Sequence, residues 1–372
     1  MTWDHARGFD PVQATAHSYG ALQPDVEVTW TRRSLREFAE RSVIDLAEDY
    51  DLIVLDHPWI GTAVAREALL PLDTYLDAGF LRDQAENSVG PSYDSYVYQG
   101  HVWALPVDVA AQVSAYRPDL LDEVPQTWDA VMRLLQEKPG QVGIPLMPVD
   151  CLPTFVSLCA NLGEGPGQHA DHFVSHAVGQ QALRMMTHLH VYSHPGSIDW
   201  NPPQLLDHMS STDDVSYCPL LFGYSNYARP GYRPETVLFT NIPLGVDQQP
   251  SGAILGGAGL AVSRRCREPE AACQYAAYVA SPAVQRGEYF QHNGQPGHRS
   301  AWVDAQVNAQ CGDFFQATLQ TLDHAYLRPR FNGYIDFQDA ACDILHRFLK
   351  DKGDIDQTLT ALDAAYRASK KS

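Results

Sequence analysis

Basic side chains are scarce in this 372-residue chain: 26 Lys and Arg stand against 45 Asp and Glu, for a formal charge of −19. That balance argues against a nucleic-acid backbone or an anionic membrane surface as partner, since both want a basic face; a well-solvated surface is the plain reading. No run of about 18 apolar residues is present to span a bilayer as a helix. The opening Met1-Thr2-Trp3-Asp4-His5 lacks the basic and apolar regions of an export leader. If Met1 is native, the expectation is a cytoplasmic chain; a periplasmic or extracellular one would have had its leader trimmed. The seven cysteines (Cys151, Cys159, Cys218, Cys266, Cys273, Cys311, Cys342) include no Cys-x-x-Cys pair and no zinc-cluster spacing. They read as small buried apolar groups, and their odd number supplies no disulfide framework. Gly-x-Ser-x-Gly and His-Glu-x-x-His are both missing, so neither a hydrolase elbow nor a zincin helix is expected. No cofactor and no metal are expected.

What is present is length and apolar content. A chain of this size exceeds what one core usually organises, and a 45% hydrophobic share is ample for two. Residues 25–33 alternate apolar and polar as a half-buried strand does, and Leu35, Phe38, Ala39, Val43, Leu46 and Ala47 recur at helical spacing over 34–48. Tyr50 to Asp56 reads as a buried parallel strand, with a helix from about Gly61. Strand, helix, strand, helix is the α/β rhythm, in which ligands sit at the carboxyl ends of the strands. Two polar-aromatic tips occupy that location, Trp3-Asp4-His5-Ala6-Arg7-Gly8 and Asp56-His57-Pro58-Trp59. Farther on, Thr127 is an expected N-cap for a helix over 128–137 that Pro139-Gly140 stops. A short strand is expected at 142–147, helices at about 152–162, 178–192 and 203–210, and strands near 214–218 and 236–242. Helices at 268–280 and 282–291 follow, and the tail from 313 is helical, with Phe337, Ala341, Ile344, Leu345 and Phe348 as its stripe.

Several clusters invite chemistry. Gly257-Ala258-Gly259 lacks the third glycine of a dinucleotide fingerprint and runs on into an apolar strand, so a close backbone approach fits better. His169, His172 and His176 would share a face on a helix and could hold a transition metal, although a polar helix face is commoner; His188, His190 and His194 lie nearby in sequence. Asp4, Asp56 and Asp108 could converge as a carboxylate set for glycosidic cleavage. The same carboxylates, with Trp59, Tyr224 and Tyr334, equally suit a sugar, whose hydroxyls want acceptors and whose ring faces pack on aromatics. Arg7, Arg299 and Arg330 could meet an anionic substituent. Trp103 lies in an apolar strand and reads as core.

The Leu-Pro-Val-Asp segment at 105–108, the Gly-Gly-Ala-Gly run at 256–259, Ala280-Ser281-Pro282-Ala283-Val284-Gln285 and Arg328-Pro329-Arg330 resemble, in order and spacing, the family 1 extracellular solute-binding proteins of ABC importers, the maltodextrin-binding-like group. The resemblance implies an α/β fold of the two-lobe, type II periplasmic-binding-protein kind, with hinge crossings and an interlobe cleft that closes on ligand. Lobe 1 would comprise 1–110 and 255–312, and lobe 2 would comprise 111–254 and 313–372. It implies a monomer that binds a polar small molecule, a sugar or sugar derivative, and docks on ABC permease subunits. Its implied ligand contacts are Trp3, Asp4, His5 and Arg7; Asp56, His57 and Trp59; Asp108 and Gln112; Tyr224 and Asn226; Gly257; and Arg330 and Tyr334. The residues leave a second reading open, a cytoplasmic enzyme or metabolite sensor on the same fold with Asp4, His5, His57 and Asp108 as acid/base groups.

Overall fold

The computed structural model describes residues 1–33 and 42–370. The chain divides into two compact units: unit 1 is Met1–Val109 with Gly256–Asn308, and unit 2 is Ala110–Leu255 with Ala309–Ser372. Two strands, Leu105–Tyr116 and Leu255–Val262, carry the chain from unit 1 into unit 2 and back. Nearly every residue in both is buried, whichever face it occupies, so both are predominantly apolar, with Asp108, Gln112 and Ser114 as buried polar exceptions in the first.

In unit 1 the strand Leu52–Leu55 pairs antiparallel with Leu255–Val262, Leu52 opposite Val262 and Leu55 opposite Gly259. The apolar run at 50–56 was legible, but this partner is antiparallel, whereas the α/β rhythm had suggested a parallel strand. On one side lie Val12, Leu105, Val107, Leu260, Tyr275 and Val279; on the other, Ile53, Leu55, Ile60, Leu69, Trp103 and Ala261. Trp103 is core as expected, although it lies between the strands His101–Val102 and Leu105–Tyr116 rather than within one. The helix Ala6–Leu22 contains Pro11, and that proline with Gly8 and Gly20 hides it from a periodicity reading. Gly8 is obligatory: a Cβ there would lie 2.4 Å from the Trp3 ring.

The strand expected over 25–33 shrinks to Arg32–Arg33, paired parallel with Thr2–Trp3. Val26, Val28 and Trp30 still pack on the core. The period of two came from alternate burial of an extended segment, not from a hydrogen-bonded ladder. Of the helix expected over 34–48, residues 34–41 lie outside the described residues and the remainder forms Val43–Asp49. The helix expected from Gly61 runs Ile60–Ala65, entered through a 3-10 turn at His57–Trp59.

In unit 2 the far half of Leu105–Tyr116 pairs antiparallel with Tyr217–Phe222 and with Leu238–Thr240. The helix Trp128–Glu137 starts where expected, with the Thr127 hydroxyl accepting from the Ala130 amide at 3.3 Å. Residues 142–147 form no strand; Val142 makes a single parallel bridge to Tyr217. The helices Pro148–Asn161, His176–Tyr192 and Pro202–Met209 belong to the same unit. Helices Tyr334–Asp351 and Ile355–Ser369 pack on Pro148–Asn161 and His176–Tyr192. Phe337, Ala341, Leu345 and Phe348 are buried along the first of these, with Ile344 half-buried at the margin. Phe173, Phe337 and Tyr366 form the aromatic heart of this core, ring centroids 4.5–5.4 Å apart. The helix expected over 282–291 is present throughout that range, α-helical at Pro282–Val284, π-helical at Gln285–Tyr289 and α-helical again at Phe290 and Gln291. All seven cysteines are free thiols.

Candidate functional site

Asp108 sits on the Leu105–Tyr116 strand with 1% exposure, among apolar neighbours that cannot solvate a carboxylate. Arg7, on the first turn of Ala6–Leu22, meets it with both arms of its guanidinium. Nε donates to Oδ2 at 2.7 Å and Nη2 to Oδ1 at 2.5 Å, the two-pronged geometry that arginine offers a carboxylate. Burial pushes the Asp108 carboxyl up from its ordinary value, while the Arg7 guanidinium and the Gln295 backbone amide oppose that push. The segment that follows is stitched to the same strand: the Val109 amide donates to Gln295 O at 3.0 Å and Gln295 Nε2 to Val109 O at 2.8 Å. A Cβ on Gly297 would strike Pro106 O at 2.2 Å, so glycine is what lets the two backbones lie this close.

Four residues along the strand, in unit 2, Gln112 is equally buried but neutral. Its Oε1 accepts from Ser157 Oγ at 2.6 Å, and Ser157 Oγ accepts in turn from the Ile254 amide at 2.8 Å. The Gln112 amide donates to Ile254 O at 3.2 Å. Ser157 and Thr154 both come from the helix Pro148–Asn161, so this network ties both crossing segments to one helix. Ser157, Thr154, Gln295 and the Ile254 backbone were not anticipated. No local pattern announces them, because each acts on a residue 40 or more positions away.

The remaining expected contacts fall into three groups. Trp3 and Tyr334 are core residues: Trp3 lies under Gly8, and Tyr334, with no exposed surface, packs at 5.9 Å from Phe337. Their ring faces are spent on packing. Asp4, His5 and Asp56 have local duties. Asp4 forms an exposed ion pair with Arg32 at 3.2 Å, His5 Nδ1 caps its helix at the Arg7 amide, and Asp56 Oδ1 caps the next turn at the His57 amide. His57 itself is fully buried, its Nδ1 3.2 Å from Asp56 Oδ1. Trp59, Tyr224 and Arg330 are half-buried and keep surface to offer, and Gly257 holds a left-handed backbone (φ 96°) inside its strand. Tyr224 and Asn226 share the turn after strand Tyr217–Phe222, Asn226 buried and Tyr224 edge-on to Tyr227 at 6.5 Å.

The arrangement does not supply the carboxylate set that glycosidic cleavage needs. Asp4, Asp56 and Asp108 are each engaged by a different partner, Arg32, the His57 amide and Arg7. Nor do His169, His172 and His176 share a helix face. The first two stack at 4.2 Å in the irregular segment before the helix, and His176 opens that helix and faces Asp356 at 3.3 Å.

Residues 2–286 match the family model described as bacterial extracellular solute-binding protein. The chain belongs to that family. Its members bind solutes and are not catalysts, which sets aside the acid/base reading of Asp4, His5, His57 and Asp108. Over 125 residues, 34% of the chain, it is 27% identical to the maltotriose-binding protein of Pyrococcus abyssi (strain GE5 / Orsay), and the match spans 27% of that protein's length. The fold is that of T. maritima MalE3 bound to maltose (TM-score 0.81, 17% identity, covering 96% of this chain and 95% of that one). It is equally that of the GacH receptor of Streptomyces glaucescens GLA.O, solved unliganded and with acarbose (0.80, 18%, 100% and 97%). A solute-binding protein of Agrobacterium radiobacter K84 in complex with ribitol gives 0.78 at 20% identity, covering 98% and 96%. The two-lobe periplasmic-binding-protein fold is therefore that of this chain. Among the described residues no helix is long and apolar enough to cross a membrane.

Proposed function

We propose that this protein captures a sugar or polyol outside the cytoplasm and delivers it to the permease of an ABC importer. The observation that carries the reading is the family match over 2–286, joined by relatives whose named ligands are maltotriose, maltose, acarbose and ribitol. The local chemistry supports it. Ligands of that class present uncharged hydroxyls and apolar ring faces, which ask for half-exposed aromatics and neutral polar groups rather than a free charge. Trp59 in unit 1 and Tyr224 in unit 2 have that character. The buried Arg7–Asp108 pair has each partner engaged by the other, so it acts as scaffold within unit 1 rather than as a ligand contact.

The test is a thermal-shift screen of maltose, maltotriose, acarbose and ribitol, with the incubated sugars analysed for conversion. A true ligand at 100 times its Kd adds about 2.7 kcal/mol of stability. One member of the panel should raise the melting temperature and be recovered intact, and Trp59→Ala or Tyr224→Ala should weaken that shift. A panel without effect, or a sugar returned as product, contradicts the proposal.

A further inference from the structure

Among the described residues, one group of three metal-capable side chains stands together: His194, His208 and Asp214, with one ligand atom from each within 4.8 Å of the others. All three belong to unit 2, and the solute-binding reading uses none of them. His194 opens the 3-10 turn Pro195–Asp199, its Nδ1 accepting from the Gly196 amide at 3.1 Å. His208 lies in the last turn of the helix Pro202–Met209, and Asp214 follows in the loop toward strand Tyr217–Phe222. Trp200 stacks on His194, 4.7 Å away at 12°, and lies tilted against His208, 4.5 Å away at 36°. The two imidazoles are thereby held 4.9 Å apart, centroid to centroid. His208 Nε2 is buried without a hydrogen-bond partner. The nearest oxygen of Asp214 is 3.5 Å away, longer than the roughly 2.7–2.9 Å of a charge-assisted hydrogen bond.

We propose that His194, His208 and Asp214 form a binding site for a divalent first-row transition cation such as zinc. Two imidazoles and one carboxylate are a donor set that zinc and its neighbours accept, leaving a fourth position for water. Bonds of about 2.0–2.2 Å require the ligand atoms to draw closer than they stand. Asp214, its side chain 65% exposed, is the ligand free to make that move, while Trp200 keeps the rings in place. A neutral imidazole has one lone pair, and that of His194 Nδ1 is given to Gly196. Cation binding at either nitrogen of the neutral ring therefore displaces this cap, and it competes with protonation of the ligands, which makes the site moderate in affinity and sensitive to acid. Once filled, it would staple the 195–199 turn to the end of the following helix and to the loop beyond.

The experiment is calorimetric titration of the full, chelator-treated chain with zinc chloride, repeated with cobalt for its visible absorption. One equivalent should bind. His194→Ala and His208→Ala should each weaken it at least tenfold, since even outer-shell partners of ligating histidines are typically worth about 10–100-fold. Asp214→Asn, at an exposed position where substitutions usually cost little stability, should weaken zinc binding and shift the cobalt bands. Zinc uptake unchanged in His208→Ala and Asp214→Asn overturns the proposal by placing the ion elsewhere, and so does a wild-type chain that takes up no zinc.

Discussion

The two units solve one problem in opposite ways. Each must hold a polar side chain inside an otherwise apolar crossing strand. Unit 1 does so with a charged pair, Arg7 on Asp108; unit 2 does so with a neutral relay, Gln112 to Ser157 to the Ile254 amide. A charged pair is unforgiving, because losing either member strands a bare charge in an apolar interior. A neutral relay fails by lesser steps, one unsatisfied group at a time. Unit 2 also contains the contrary case. Asp150, in the first turn of Pro148–Asn161, is 5% exposed, and its Oδ2 has no hydrogen-bond partner. Burial without a countercharge raises its carboxyl to about 8.

The largest expected effect concerns Asp150. Its folded-state value lies above the ordinary carboxylate value, so the folded protein holds the proton longer than the unfolded chain does. Below about pH 4 both states are protonated and nothing is lost. From there to about pH 8 the unfolded chain gains by ionising, and stability falls, by an amount on the order of 5 kcal/mol in the limit of full burial. Urea unfolding across this range should show that decline, and Asp150→Asn should flatten it. A wild-type profile that is already flat would mean that Asp150 has a partner after all, and the contrast between the units would narrow.

Next comes the charged pair. Arg7→Ala should cost about 3–5 kcal/mol, read from the denaturation midpoint, because Asp108 stays behind unpaired. Replacing both partners together, Arg7→Met with Asp108→Leu, should recover most of that loss. If the double replacement is as damaging as the single one, the pair contributes more than mutual compensation. Smallest is the neutral relay: Ser157→Ala leaves the Ile254 amide and one Gln112 acceptor without their partner and should cost about 1–3 kcal/mol. A loss equal to that of Arg7→Ala would erase the distinction between charged and neutral solutions.

The same pair of strands shows what can be read from sequence and what cannot. Trp128–Glu137 was legible because its signals are local: a capping threonine, a helical apolar stripe, and Pro139-Gly140 beyond it. The Phe337–Phe348 stripe was legible for the same reason. Strand direction was not, since an apolar run such as Leu52–Leu55 is identical for parallel and antiparallel neighbours. The polar residues singled out as ligand contacts illustrate the same limit. Asp108 and Gln112 stand out in an apolar strand whether they serve a ligand or a partner inside the protein, and those partners, Arg7 and Ser157, come from distant segments. Trp3 and Tyr334 drew attention as aromatics beside polar turns, yet what buries them, Gly8 and the Phe337 cluster, emerges only on folding.

Isothermal titration of the purified chain with maltose, maltotriose, acarbose and ribitol examines solute capture directly. Saturable one-to-one binding of at least one of them, with the sugar chemically unchanged afterwards, is the expected result; no heat from any of the four, or conversion of the sugar, would contradict it.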